Sequence, residues 1–322
     1  MAQIAIIGLD TIGTSIGLAL KKSGQPMTLV GVDRDGANAR RAQQLGAVER
    51  TEAWISSAVK NASLVFLCEP LAALHDLIEG LGESLPQGCL VVSTAPIIAP
   101  VLAWAEEFLP VGVSFIAAHP ILNPAQSIAE PSADLFQKAQ LCVVPSRKAD
   151  SSGMNLVAGL AAALGAQPFF LDAVEHDGLV SATESLASVM GTLLMSAAAE
   201  ASSWRDMRRL AGPTFAHITA STEADPATVA AALRANRENL ARWLNIFRAK
   251  LSDTHVALLA EDDEPLLTLL NDARDARDRW LRDAHASNWG DVVEMPKVTM
   301  GEILGQMFWP QRPKPDGKKQ KR

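Results

Sequence analysis

Residues 4–24, IAIIGLDTIGTSIGLALKKSG, pass from a short apolar run through a glycine-containing turn into a stretch with helical spacing. A strand, a tight turn and a helix in that order form the opening of a dinucleotide-binding α/β unit, and three positions test the reading. The first glycine must make the turn after the strand, and Gly8 stands there. The third must let helix and strand pack closely, and Gly13 stands there. An acid some twenty residues on must meet the ribose hydroxyls; Asp33, in LVGVD, lies 20 beyond Gly13. A carboxylate at that position favours NAD over NADP, because it repels the extra phosphate. The middle glycine, whose missing side chain admits the pyrophosphate, is replaced by Asp10. Two unit charges ~4 Å apart repel by roughly 4 kcal/mol at an effective dielectric of ~20. That is on the order of a thousandfold in affinity. The stretch therefore predicts the fold and leaves two readings of the cofactor site, working or lost. The candidate cofactor set is Gly8, Asp10, Ile12, Gly13, Asp33 and Arg34. Two overlapping motifs are rejected. GTSIG matches a nucleophile elbow, but Ser15 falls inside the helix and not at the strand-to-helix turn. GLDTIGTS has Thr14 where a phosphate-binding loop requires lysine.

The pattern continues outward. The apolar runs MTLVGVD, SLVFLCE, CLVVST, VSFIAA and QLCVVP alternate with helix-like segments, and SSGMNLVAGLAAALGAQPFFLD adds a last helix and strand. Continuous apolar strands between helices predict a parallel sheet covered on both faces, a doubly wound α/β domain of Rossmann type over residues 1–172. Strand signals then stop. ADPATVAAALRANRENLARWLNIFRAKLSD and EPLLTLLNDARDARDRWLRDAH space their apolar residues three and four apart, which predicts an all-helical domain over 173–290, with a helix start at Asp225-Pro226. The Ala- and Ser-rich segment 179–201 is long enough to cross a bilayer but carries Glu184, so it reads as a buried helix or a subunit interface. Residues 291–322 read as an extension with a short amphipathic helix, TMGEILGQMF, and a basic disordered tail.

The 322 residues carry a net charge of -7 and an apolar fraction of 48%, an ordinary globular balance that gives no reason to expect nucleic acid or a membrane as partner. Cys68, Cys89 and Cys142 are far apart and odd in number, which fits buried thiols in a reducing, cytoplasmic setting. No CxxC or HExxH pattern supports a metal site.

Four segments in order resemble the prephenate/arogenate dehydrogenase family: GLDTIGTSIGLAL its glycine turn, FIAAHPI its G-x-H-P-I/M segment, LDAVEHDGLVSATESL its E-H-D helix, and ADPATVAAALRANRENL its D-P…N-R-E helix. The resemblance implies NAD-dependent oxidative decarboxylation of a cyclohexadienyl acid on the route to tyrosine, a homodimer, and His119 as the group that takes the proton from the ring hydroxyl. A histidine, with its near-neutral pKa, suits that task. The carboxylic acid substrate needs cations, for which Arg209 and Arg237 are candidates against the alternative of solvated helix faces. Other family positions differ. Ser93, Pro96 and Ile98 stand in place of D-x-x-S-x-K, and Ser185 and Ser188 replace the two histidines of S-H-L-P-H. Together with Asp10 these changes raise two alternatives: an inactive homologue kept for binding or regulation, or a dehydrogenase of another small acid.

Overall fold

The first strand, β1 (Ala2–Ile7), splits its side chains between two cores. Ile4 and Ile6 point into one, with Ile16, Leu20, Leu64 and Phe66; Ala5 and Ile7 point into the other, with Val30, Val65 and Leu67. Side chains alternate along a strand, so a strand with apolar residues in both alternating sets is one buried on both faces. The computed structural model describes residues 2–290 apart from 148 and 150, and the remainder of the fold follows from this arrangement. The expected helix at TMGEILGQMF and the basic tail lie outside the described residues.

After β1 come α1 (Thr11–Lys22), β2 (Met27–Val32), α2 (Gly36–Gln44), β3 (Arg50–Thr51), α3 (Ile55–Val59), β4 (Ala62–Leu67) and α4 (Leu71–Leu81). The second half of the sheet follows: β5 (Leu90–Ser93), α5 (Ala99–Phe108), β6 (Ser114–Ile121), β7 (Gln140–Pro145), α6 (Ser151–Leu164) and β8 (Gln167–Phe170). The eight strands lie in the order β3-β2-β1-β4-β5-β6-β7-β8. Strand order reverses between β1 and β4, which opens a crevice at their carboxyl ends, the usual ligand position in such sheets.

Two details depart from the sequence expectation. The sheet is not wholly parallel: β7 runs antiparallel to β6, with His119 opposite Cys142. A parallel neighbour needs a crossover, usually a helix. The connection from Leu122 to Ala139 carries Pro124 and Pro131 and forms no helix among its described residues, so the chain turns back. The first helix also begins earlier than the spacing of TSIGLALKKSG suggests, because Asp10 caps it.

The chain then becomes helical: α7 (Ala173–Val180), a π-helical turn at Ser181–Ser185, α8 (Leu186–Glu200), α9 (Trp204–Leu210), α10 (Pro213–Thr219), α11 (Pro226–Ala235), α12 (Arg237–Leu259) and α13 (Glu264–Ala286). Asp225 caps α11 by accepting from the Thr228 amide at 2.8 Å, with Pro226 at the first helical position, as expected. The expected buried helix at 179–201 is corrected. Ala173–Glu200 is mostly uncovered, with Leu193 and Leu194 open to solvent, because a single chain supplies too few neighbours to cover it. The end of α13 returns to the sheet, where Asn123 Nδ2 donates to the Ala284 carbonyl at 2.9 Å and Lys138 Nζ to that of His285 at 3.1 Å.

Candidate active site

Gly8 has φ +90°, and a Cβ there would come within 2.7 Å of the Cys68 backbone; a Cβ on Gly13 would come within 1.9 Å of the Gly8 carbonyl oxygen. Both positions require glycine, one for the turn and one for close packing. Asp10 is different. Its φ of −67° is open to any residue, so nothing in the backbone demands glycine there. Its Oδ1 accepts from the amides of Ile12 at 3.0 Å and Gly13 at 3.1 Å, which makes it the N-cap of α1. These amides at a helix start are also the donors an anion would seek. Partial burial holds the Asp10 carboxyl above the usual carboxylate range; the two amides oppose the shift and nearby Asp33 adds to it.

Asp33 closes the other side of the turn. Its Oδ2 accepts from the Leu9 amide at 2.6 Å and its Oδ1 from the Asp35 amide at 2.7 Å. Ile12 packs half-buried against the core, while Arg34 is exposed. Sequence reading missed Glu69, which follows Cys68 at the end of β4. Desolvation raises its carboxyl, Asp33 raises it further, and Arg34 opposes them. Its place beside the strand-order reversal was the available signal. The glycine geometry and Asp33 thus fit a dinucleotide, while the amides that would meet its pyrophosphate are already engaged by Asp10.

A second group lies at the carboxyl end of β6. His119 is 6% exposed. Its Nδ1 is 3.1 Å from Nε2 of His176, whose Nδ1 is 2.9 Å from Oδ1 of Asp177. Asp177 also accepts from the amides of Ile98 at 2.8 Å and Ala99 at 2.9 Å, at the start of α5, a place that favours negative charge. Asn236 Nδ2 donates to the Asp177 carbonyl at 2.7 Å and ties α11 and α12 to α7.

These contacts order the protons. Asp177, amide-bonded through both oxygens, accepts from His176 Nδ1–H. His176 Nε2 is then an acceptor, so His119 donates through Nδ1–H, and His119 Nε2 keeps its lone pair. Burial, followed by the neighbouring His176, lowers the His119 pKa to about 3, which leaves the ring neutral near pH 7. On the free side of Nε2 stands Glu184, with Oε1 at 3.8 Å. The arrangement can accept a proton at Nε2.

A pH consequence follows. In the unfolded chain His119 binds a proton below its ordinary pKa of 6.5, and in the folded protein only below about 3. Between these values the unfolded state holds more protons, so stability falls as pH falls, by about 1.4 kcal/mol per pH unit from this group. Denaturant unfolding from pH 6.5 down to 4 is expected to show that added slope, and His119→Asn to remove it.

The structure gathers Gly8, Asp10, Ile12, Gly13, Asp33 and Arg34 at the crevice and sets His119 on β6, three strands from β1. It does not bring the arginines to the histidines. Arg209 is exposed on α9, and Arg237 is exposed at the start of α12, one residue after Asn236; neither has a hydrogen bond or ion pair to a described residue. The Glu175-His176-Asp177 segment carries no site role in the sequence expectation. The signal was a His-Asp pair at the start of an apolar helix, where polar residues need partners.

Comparison with known proteins agrees with this fold. The profile for the prephenate dehydrogenase nucleotide-binding domain matches residues 16–169, and that for the prephenate dehydrogenase dimerization domain matches 172–272. The chain belongs to the prephenate dehydrogenase family. Among its relatives, a prephenate dehydrogenase of Bacillus subtilis is 25% identical over 85% of this chain and 75% of its own length. A cyclohexadienyl dehydrogenase of Zymomonas mobilis is 24% identical over 85% of this chain and 94% of its own. The fold resembles that of a prephenate dehydrogenase from A. aeolicus, solved with hydroxyphenyl propionate and NAD+ (TM-score 0.78, 18% identity, 87% of this chain and 98% of that one). It also resembles a Synechocystis arogenate dehydrogenase (TM-score 0.68, 21% identity, 86% and 99%). The first family match begins at Ile16, just past the glycine turn that holds Asp10.

Proposed function

We propose that this member of the prephenate dehydrogenase family catalyses NAD-dependent oxidative decarboxylation of a cyclohexadienyl acid, prephenate or arogenate, with His119 as proton acceptor. The observation that carries the reading is the Asp177–His176–His119 chain, which leaves His119 Nε2 as a lone-pair acceptor in a buried position. Residues 1–172 supply the cofactor side, with Gly8 and Gly13 shaping the turn beneath the dinucleotide and Asp33 taking the ribose hydroxyls. When bound, NAD supplies a hydride acceptor. His119 draws the proton from the ring hydroxyl at Nε2, and His176 and Asp177 hold its ring in the productive tautomer. Loss of the ring carboxylate as carbon dioxide follows, driven by aromatisation. Arg237, beside Asn236, is the better placed candidate for a substrate carboxylate; Arg209 is the weaker. The protein works as a cytoplasmic homodimer through residues 173–290.

Spectrophotometric assay of nicotinamide reduction with prephenate and with arogenate tests the reading; no turnover of either at millimolar NAD would sink it. A second reading, a homologue retained for binding or regulation, is favoured by the Asp10 carboxylate on the Ile12 and Gly13 amides. Calorimetric titration separates the two. The enzyme reading expects NAD to bind more tightly than NADP, and Asp33→Ala to weaken NAD by about tenfold, the loss of one or two charge-assisted hydrogen bonds.

The homodimer has its own test. Leu193 is 53% exposed, Leu194 39% and Ile218 50%, on helices that meet where Gly191 lies against the Ile218 carbonyl. Sedimentation velocity is expected to give a dimer, and Leu193→Glu with Leu194→Glu a monomer. A dimer unchanged by both substitutions would place the interface elsewhere.

A further inference from the structure

A proton taken up by His119 has to leave before the next turnover, and the surroundings of the ring restrict how. On the Nδ1 side lie His176 and Asp177, whose side chains are 1% and 6% exposed, with Asp177 held by two backbone amides. That side ends in the protein interior. On the Nε2 side lies Glu184, whose side chain is 44% exposed. It reaches this place through the π-helical turn Ser181–Ser185, which buries Ser181 and Ser185 and leaves Glu184 toward the histidine. Such turns, with one residue more than an α-turn, re-aim side chains within a helix.

We propose that Glu184 receives the proton from His119 Nε2 in each turnover and releases it to water. The inference rests on the reading that His119 accepts the hydroxyl proton of the substrate. The step balances. The substrate O–H bond breaks and its proton binds Nε2; NAD, held at the Gly8–Gly13 turn and Asp33, would supply the hydride acceptor, and the carboxylate leaves as carbon dioxide. The Nε2–H bond then breaks, the proton binds a Glu184 carboxylate oxygen, and water removes it; His119 ends neutral and Glu184 ionised. A side-chain rotation or one water closes the 3.8 Å gap.

The groups around Glu184 suit this traffic. Desolvation raises its carboxyl while His119 is held at about 3, so a proton on His119 Nε2 passes readily to Glu184. Cys142, across the β6–β7 pair, is pushed up to about 12 by burial and by Glu184 itself, so it stays a neutral thiol. Asp177 is engaged with His176 and the start of α5, and Arg242 of α12 is bonded to Asn239.

Glu184→Gln keeps the size and removes the exchangeable proton site. With whichever substrate the wild type turns over, kcat in dilute buffer is expected to fall by about 10- to 100-fold, near the lower range for loss of a proton-transfer group, with KM almost unchanged. Added formate or acetate is expected to restore it, and Glu184→Asp to retain part of it. An undiminished kcat, or a loss that small acids do not relieve, would overturn the proposal. If the wild type turns over neither substrate, the functional reading fails by itself. The proposal is then read without turnover, from nitrogen-15 relaxation dispersion at His119 Nε2 near pH 4, which follows gain and loss of a proton at that nitrogen. That exchange is expected to be about tenfold slower in Glu184→Gln if the carboxylate carries the proton. Equal rates in the two proteins would overturn it.

Discussion

Replacing His119 with asparagine is expected to lower kcat by about 10²- to 10⁴-fold, the range for removing a general base. Asparagine fills much of the same space and still offers a donor toward His176, but it cannot take a proton. NAD affinity is expected to stay the same, since β6, which carries the ring, lies three strands from β1 and its glycine turn. Steady-state kinetics beside calorimetric NAD titration checks both halves. A parallel loss of NAD binding would mean the substitution had disturbed the sheet. His176→Asn should reproduce part of the kcat loss, because it breaks the link between Asp177 and the His119 tautomer while leaving the acceptor nitrogen in place.

The other large effect is a gain. Asp10→Gly is expected to tighten NAD by about 10- to 100-fold, through release of two amides for charge-assisted bonds and removal of a repelling carboxylate. The full thousandfold of two charges in contact is not expected, because Asp10 is partly exposed to solvent. Helix stability should change by only a few tenths of a kcal/mol, as glycine is itself a tolerated N-cap. Since the Asp10 carboxyl is raised, lowering the pH protonates it early and should strengthen NAD binding to the wild type. That pH dependence should be weaker in Asp10→Gly. Asp10→Asn, neutral but still capping, should fall between the two. Titration of the three proteins at two pH values tests the set, and equal affinities would show that Asp10 turns aside at no cost when NAD binds.

The two halves of the account differ in how far the sequence discloses them. The alternation of apolar strands and helices is a local signal, and every long strand of the sheet falls on a run visible in the chain. The two-residue β3 carries no such signal, and the direction of β7 depends on what lies between Leu122 and Ala139. In the site, Gly8, Gly13, Asp33 and His119 are legible because each answers to a fixed spacing or a motif. Asp10 was visible as a substitution, but its action as a helix cap depends on side-chain direction. The His119–His176 contact joins residues 57 apart, and the Asp177 contacts to Ile98 and Ala99 span 79 and 78, so no local pattern encodes them. Glu184 is the clearest case. In sequence it was a charge that argued against a membrane helix, and only a π-helical turn sets it against His119.

The claim on which the account turns is the tautomer of His119. Nitrogen-15 NMR of the histidine-labelled protein at pH 7 reads it directly. The account predicts a neutral ring with the proton on Nδ1 and a bare Nε2. A ring protonated at Nε2, whether as the other neutral tautomer or as an imidazolium, would contradict it.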